Sequence, residues 1–339
     1  MTSVDDAARR AEGALRYSLV LPIFNEEAVL PLLLARIDAL MDALDGPAEA
    51  IFVDDGSRDT SGLFLRLKAR QDPRYRYIGL SRNFGHQIAI TAGMDAAEGE
   101  AVIVMDADLQ DPPEIVLDMV AKWAEGYDVV YARRRERHGE SRFKRWTADA
   151  FYRLLARFAD VDIPRNVGDF RLVDRKVVEA FRGMPEQDRF VRGMFAWLGF
   201  RQTAVEFERA PREAGATKYT LRRMTRLAAN ALIGFSDAPL KLVVVTGFTV
   251  SLLAGLYGAY VVARWLAGAE LVTGWASTIL IVALLGGGNM LMTGIVGLYV
   301  GRIHAEVKRR PLYVVAAREG FAHAAATREA DAPPLQRAG

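Results

Sequence analysis

Short apolar runs that stop at polar or acidic clusters recur through the first half of the chain. Tyr17-Ser18-Leu19-Val20-Leu21-Pro22-Ile23 runs into Phe24-Asn25-Glu26-Glu27, after which Val29, Leu30, Leu33, Leu34 and Ile37 recur at helical spacing. A strand there hands over to a helix. Ala50-Ile51-Phe52-Val53 leads into Asp54-Asp55-Gly56-Ser57-Arg58-Asp59, where Gly56 allows a tight turn and Ser57 or Asp59 can cap the next helix. A third run, 75–80, precedes Ser81-Arg82-Asn83-Phe84-Gly85-His86 and a helix of small residues through Gly93. The fourth, Val102-Ile103-Val104-Met105, breaks into Asp106-Ala107-Asp108-Leu109-Gln110-Asp111 and a double proline, and a fifth strand is expected at 129–131. Strands alternating with helices at this interval predict an α/β fold with a mostly parallel sheet, whose ligands bind beyond the carboxyl ends of the strands. Successive strands that all end in polar clusters should therefore converge on one site.

The pattern changes late in the chain. Residues 242–263 are uncharged between Lys241 and Arg264, and 271–301 between Glu270 and Arg302, lengths that predict two membrane-spanning helices. Gly286, Gly287, Gly288, Gly294 and Gly297 suit close helix packing in lipid, within the chain or in a homo-oligomer. Arg222, Arg223, Arg226 and Lys241 precede the first span and Arg302, Lys308, Arg309 and Arg310 follow the second, so the positive-inside rule puts both termini in the cytosol. Between 221 and 235, apolar Leu221, Met224, Leu227, Ala228, Ala231 and Leu232 alternate with Arg222, Arg223 and Arg226, an amphipathic helix suited to the membrane surface. The expected organisation is a disordered N-terminus (1–16), a catalytic domain (17–219), an interfacial helix (220–239), two spans within 240–301 (at 242–263 and 275–300) and a cytosolic tail (302–339). The tail beyond Pro311 is rich in Ala, Arg and Glu and is expected to be disordered.

With 339 residues, a formal net charge of +2 and no cysteine, the chain has no nucleic-acid footprint and no disulfide or thiolate chemistry. That composition fits a catalytic part in the reducing cytosol. Residues 1–16 lack an apolar core, so no signal peptide is expected.

Candidate chemistry concentrates in the strand-end clusters. Asp106, Asp108 and Gln110 offer oxygens of the kind that Mg2+ or Mn2+ takes alongside substrate phosphates. An acidic turn starting the helix at Pro112 accounts for the same residues equally well. A dinucleotide fingerprint is absent after the first strand, and there is no phosphate-binding G-x-x-x-x-G-K-[ST] loop.

Taken together, 22–26 (P-I-F-N-E), 53–57 (V-D-D-G-S), 82–85 (R-N-F-G), 106–114 (D-A-D-L-Q-D-P-P-E) and 168–172 (G-D-F-R-L) resemble the polyprenyl-phosphate glycosyltransferases. These are the dolichol-phosphate-mannose-synthase-like branch of glycosyltransferase family 2. The resemblance spans roughly 17–311, and the late apolar segments resemble the bacterial, undecaprenyl-phosphate members. It implies a GT-A nucleotide-sugar fold followed by two transmembrane helices. It places Pro22, Asn25, Glu26, Asp54, Asp55 and Asp106 at the nucleotide sugar, and Asp106, Asp108 and Gln110 at the metal, with Asp108 and Gln110 the preferred direct ligands. Asp169 falls at the catalytic-base position. The loop 209–219 resembles one near the diphosphate, with Arg212 and Lys218 able to clamp phosphates. For the acceptor phosphate the arginines after the fifth strand are candidates, Arg133 and Arg145 first.

Each assignment has a plainer counterpart. Asp55 suits a turn, Glu26 a helix cap, Asp169 a pair with Arg171 or Arg175, and 209–219 a basic linker. The expected activity is inverting transfer of one hexose, with glucose from UDP-glucose preferred, to polyprenyl phosphate at the cytosolic face of a bacterial inner membrane. The rivals are a processive polysaccharide synthase of the same fold and a non-catalytic membrane scaffold. The first normally carries a Q-x-x-R-W motif, which is missing here, and the acids at 106, 108 and 169 speak against the second.

Overall fold

The computed structural model describes residues 15–134, 167–207, 238–267 and 274–321. Strands β1 (Tyr17–Ile23), β2 (Ala48–Asp54), β3 (Tyr75–Leu80) and β4 (Ala101–Val104) are joined through helices α1 (Leu30–Ala43), α2 (Ser61–Gln71) and α3 (His86–Ala96). Helix α4 (Ile115–Ala124) leads to β5 (Val129–Arg134), and β6 (Val167–Asp174) is followed by α5 (Arg175–Arg182), α6 (Val191–Trp197) and β7 (Gln202–Phe207). With β8 (Val315–Glu319) they form one sheet of eight strands in the order β7-β5-β6-β4-β1-β2-β3-β8.

Pairing is parallel between β1 and β2, β1 and β4, β2 and β3, and β5 and β7. Parallel strands need cover on both faces, which is why these segments read as nearly unbroken apolar runs. Leu19, Leu21, Phe52 and Ile103 point to one face, packing with Leu33 and Ile37 of α1 and Val116 and Met119 of α4. Val20, Ile51, Val53 and Val104 point to the other, against Ala89 and Ile90 of α3 and Phe181 and Phe195. Each such side chain removed from water contributes about 1.5–3 kcal/mol, which makes the strand ends a stiff platform.

Strand β6 runs against this direction, antiparallel to both β4 and β5. Its beginning therefore lies at the sheet edge where β1, β2 and β4 finish. Asp169, Arg171 and Val173 face α3, α5 and α6, while Phe170 and Leu172 face α4, with Phe170 edge-on to Phe207.

The tail departs from expectation. Residues 315–319 form β8, antiparallel to β3, and Ser81 N donates to Val314 O at 2.9 Å. Glu319 accepts from Arg70 at 2.6 Å and pairs with Arg66 at 3.3 Å, and Tyr313 Oη donates to Asp95 Oδ2 at 2.9 Å. An uncovered β3 would leave a row of backbone donors and acceptors unsatisfied, and the short Val-Ala-Ala-Arg-Glu segment covers it with almost no apolar signature.

Two long helices, α7 (Ala238–Leu266) and α8 (Trp275–Val307), of 29 and 33 residues, pack against each other. Within α7 the window Val243–Tyr260 is long and apolar enough to cross a membrane, and 0% of it is buried. It is the one such window found among the described residues. Val244, Phe248, Leu253 and Leu256 are all exposed along it, a surface that calls for an apolar surround rather than water. Helix α8 continues beyond the expected end of a second span, past Arg302 to Val307.

Candidate active site

The loops after β1 and β2 are stitched into one wall. Asn25, in the left-handed region at φ 56°, has its N–H on Ser57 Oγ at 3.0 Å and accepts from Arg58 N at 2.8 Å. Glu26 N donates to Ser61 Oγ at 3.0 Å, and Glu27 accepts from the Thr60 hydroxyl at 2.8 Å. Pro22 is buried inside β1, in register with Val53.

Asp54 and Asp55 are both buried and both engaged. Asp54 accepts from Ser57 N at 2.8 Å and from Tyr77 Oη at 3.0 Å. Asp55 reaches across to the loop before α3 and accepts from Phe84 N at 2.6 Å and Gly85 N at 2.9 Å. Burial pushes the Asp55 carboxyl above its usual range, and those two amides pull it partly back. Gly56, at φ 71°, makes this crossing possible, since a Cβ there would sit 2.7 Å from the Arg82 carbonyl carbon.

Strand β4 ends at Val104, so the acids lie on a turn rather than on the strand. Asp108 Oδ1 accepts from Gln110 N at 3.1 Å, and buried Leu109 is held at φ 57°. That is a side-chain-stabilised turn carrying strain in a residue with no αL preference. Gln110 is buried, and its Oε1 has no hydrogen-bond partner among the described residues.

The centre of the site follows from the sheet register. Val104 pairs with Arg171, so two residues past Val104 and two residues before Arg171 set Asp106 opposite Asp169. His86, the first residue of α3, stands between them, with Nε2 3.2 Å from Asp169 Oδ2 and 3.4 Å from Asp106 Oδ1. Asp169 also accepts from Gln87 Nε2 at 2.9 Å and from Arg192 Nε and Nη2 at 2.8 and 3.2 Å. Beneath it Arg171 is fully buried, donating to Asp169 O and Gly168 O with its guanidinium over the Phe195 ring. Burial alone would raise the Asp169 pKa, but the His86 and Arg192 hydrogen bonds and the Arg192 and Arg171 charges carry it far below the usual carboxylate range. For His86, burial works to lower the pKa and is outweighed by the Asp169 hydrogen bond and the Asp106 and Asp169 charges, which raise it. Burial lowers Arg171 to about 10.

The structure thus brings Asp106 and Asp169 together around one histidine. Asp54 and Asp55 support the adjoining loops. Arg133 lies at the same edge, opposite Val167, exposed and paired with Glu206 at 2.7 Å. Arg145, Arg212 and Lys218 lie outside the described residues. Arg175, one of the two arginines expected to pair with Asp169, instead donates to Ala97 O and Gly99 O and pairs with Glu179. The partner is Arg192, which sequence reasoning missed together with His86 and Gln87. His86 closes the R-N-F-G cluster and was visible as a polar residue at a strand end, whereas Arg192 is a lone cation in an apolar helical run with no signal of its own.

Among the described residues no three or more His, Asp and Glu side chains gather into a ready metal cage. The oxygens of Asp106, Asp108 and Gln110 nonetheless fit a divalent ion that takes part of its shell from a diphosphate, and the unpartnered Gln110 Oε1 leaves an oxygen available.

Acids at the strand ends of a mostly parallel α/β sheet stand where such folds bind their ligands, and similarity to known proteins gives the class. Residues 18–182 match the model for Glycosyl transferase family 2. An uncharacterized glycosyltransferase of Bacillus subtilis, YkcC, is 49% identical over 89% of this chain and 93% of its own length. A prophage bactoprenol glucosyl transferase homolog of Escherichia coli is 36% identical over 89% of this chain and 98% of its own. The SfII prophage-derived bactoprenol glucosyl transferase of Shigella flexneri is 37% identical over 89% and 97%. Mannosyl-3-phosphoglycerate synthase from Rubrobacter xylanophilus overlaps 68% of this chain and 75% of its own, with a TM-score of 0.47 at 20% identity. The chain belongs to glycosyl transferase family 2, in the branch that includes the bactoprenol glucosyl transferases. It is a glycosyltransferase enzyme with a GT-A fold.

Proposed function

We propose that the protein transfers a single glucosyl residue from UDP-glucose to a polyprenyl phosphate, undecaprenyl phosphate in a bacterial inner membrane, with inversion at the anomeric carbon. The observation that carries this is the Asp106–His86–Asp169 cluster at the strand ends, in a chain 36–37% identical along most of its length to proteins named for glucosyl transfer to bactoprenol.

In this reaction an acceptor phosphate oxygen attacks the anomeric carbon, the carbon–oxygen bond to the diphosphate breaks, and UDP leaves with that electron pair. Asp106, Asp108 and Gln110 would hold Mg2+ or Mn2+ with the donor diphosphate, and Pro22, Asn25, Glu26, Asp54 and Asp55 shape the wall beside the nucleotide. Such an ion neutralises charge that builds on a departing diphosphate. A phosphate acceptor is largely ionised at neutral pH, so no strong base is required. That suits Asp169, whose hydrogen bonds from Arg192, His86 and Gln87 favour a permanent anion. Its role is to hold Arg192 and His86 in place beside the two phosphate-bearing substrates. Arg133 and Arg145 add positive charge for the acceptor, and Arg212 and Lys218 for the donor. Helices α7 and α8 both span the membrane, with the catalytic domain and both termini in the cytosol, where basic residues flank the helix ends.

The test is to supply membranes containing the protein with labelled UDP-glucose and undecaprenyl phosphate. A lipid-extractable glucose product that disappears with EDTA is expected. Failure to transfer any sugar from a panel of UDP- and GDP-sugars would sink the proposal.

A further inference from the structure

The side chains that donate to Asp169 come from two elements, and the end of α8 together with the chain that follows it grips both. Arg302 and Glu306 lie one turn apart on the same face of α8, at its end nearest the sheet. Arg302 pairs with Asp188 at 3.4 Å, and Glu306 Oε1 accepts from Gln187 N at 2.8 Å. Gln187 and Asp188 belong to the loop between α5 and α6. That loop is braced internally by Arg189, which donates to Met184 O at 2.6 Å and Glu186 O at 3.2 Å. It then delivers Val191, whose N–H sits on Gln87 Oε1 at 3.0 Å, and Arg192, which grips Asp169.

The second grip falls on α3. Val314 O holds Ser81 N at the start of the loop leading to His86, and Tyr313 Oη holds Asp95 near the far end of the helix. His86 and Gln87, the other two donors to Asp169, ride on the first turn of α3. Residues 302–319 therefore touch the supports of His86, Gln87 and Arg192 alike.

We infer that the segment from Arg302 to Glu319 is a positioning device for the Asp169 cluster, with Glu306 setting the loop that delivers Arg192. This rests on the transfer reaction proposed above. A cluster built from side chains of separate elements keeps its geometry only if its supports are held, and a misplacement of about 1 Å can cost 100-fold in rate. Arg192 follows directly on Val191, the first residue of α6, whose Val191, Met194 and Phe195 are packed in the core, so the loop that enters α6 sets where Arg192 stands. Glu306 and Arg302 supply the fixed point, and they do so from the helix that anchors the enzyme.

The experiment uses the full chain in lipid nanodiscs with undecaprenyl phosphate and UDP-glucose. Glu306→Ala is expected to lower kcat about tenfold, with the KM for UDP-glucose within twofold and the melting temperature unchanged. Glu306→Gln keeps a carboxamide oxygen for the Gln187 N–H and should restore most of the rate. Arg302→Asp should lose activity, and adding Asp188→Arg should recover it. Wild-type turnover in Glu306→Ala, or equal loss in Glu306→Gln and Glu306→Ala, overturns the inference. If the wild-type chain transfers no sugar, the reaction itself is wrong, and hydrogen exchange decides the positioning. Faster exchange of the 187–192 amides in Glu306→Ala supports it, and unchanged exchange overturns it.

Discussion

Arg192 grips Asp169 at both carboxylate oxygens, Nε to Oδ1 at 2.8 Å and Nη2 to Oδ2 at 3.2 Å. Planar two-point recognition of this kind is specific to the guanidinium fork, and a lysine ammonium cannot reproduce it. Arg192→Lys should therefore keep the charge and still lose most of kcat, and Arg192→Ala should lose about 100-fold. Steady-state transfer assays at saturating UDP-glucose check this, and near-normal turnover in Arg192→Lys would show that charge alone suffices.

The same pair makes stability depend on pH. The Asp169 pKa is lower in the folded protein than in the unfolded chain, so its contribution is fully present above the unfolded value, about 3.9, and fades as pH falls below it. Asp169→Asn should accordingly lower stability by about 1–3 kcal/mol near neutrality, where Arg192 loses an ionised partner. The gap to wild type should narrow in melts run progressively below about pH 4. A gap that widens on acidification would contradict a depressed Asp169.

Asp108 is expected to matter for the donor far more than for the fold. Its bond from Gln110 N is worth about 1 kcal/mol. In a thermal-shift assay UDP with Mn2+ should stabilise the wild type, and Asp108→Ala should abolish that shift while the unliganded melting temperature changes little. Equal shifts in both proteins would remove Asp108 from the donor site.

Gly56 tests the loop that Asp55 crosses. At φ 71°, with a backbone carbon 2.7 Å from where a Cβ would sit, Gly56→Ala should destabilise by more than about 1 kcal/mol and weaken UDP binding with it. Chemical denaturation and UDP titration measure the two effects separately.

Much of this arrangement could be read from residue order alone, for a physical reason. Parallel strands buried on both faces have to be apolar throughout, and their ends have to be polar, so β1, β2, β3 and β4 mark themselves and mark the site edge. Asp106 stands out just beyond such an apolar run, and Asp169 stands out as one acid within an apolar, β-favouring stretch that resembles a family motif. What no local pattern carries is direction and distant pairing. Nothing in Gly168-Asp169-Phe170-Arg171-Leu172 says that β6 runs backwards between β4 and β5, yet that reversal is what sets Asp169 opposite Asp106. Arg192 reaches Asp169 only through a loop, two helices and a bond to Gln87. Val315 to Glu319 is too short and too polar to announce itself as a strand until β3 is there to receive it.

That last strand gives the chain an unusual order of assembly. Among the described residues, seven of the eight strands are synthesised before α7 and α8, and the eighth only after them. The outer edge of β3 stays open throughout the making of both long helices and is sealed when their far end comes back to the sheet. The two helices are thus an excursion within the catalytic fold, begun and finished by it, and a ribosome that stops short of residue 315 leaves an enzyme whose sheet has not been closed.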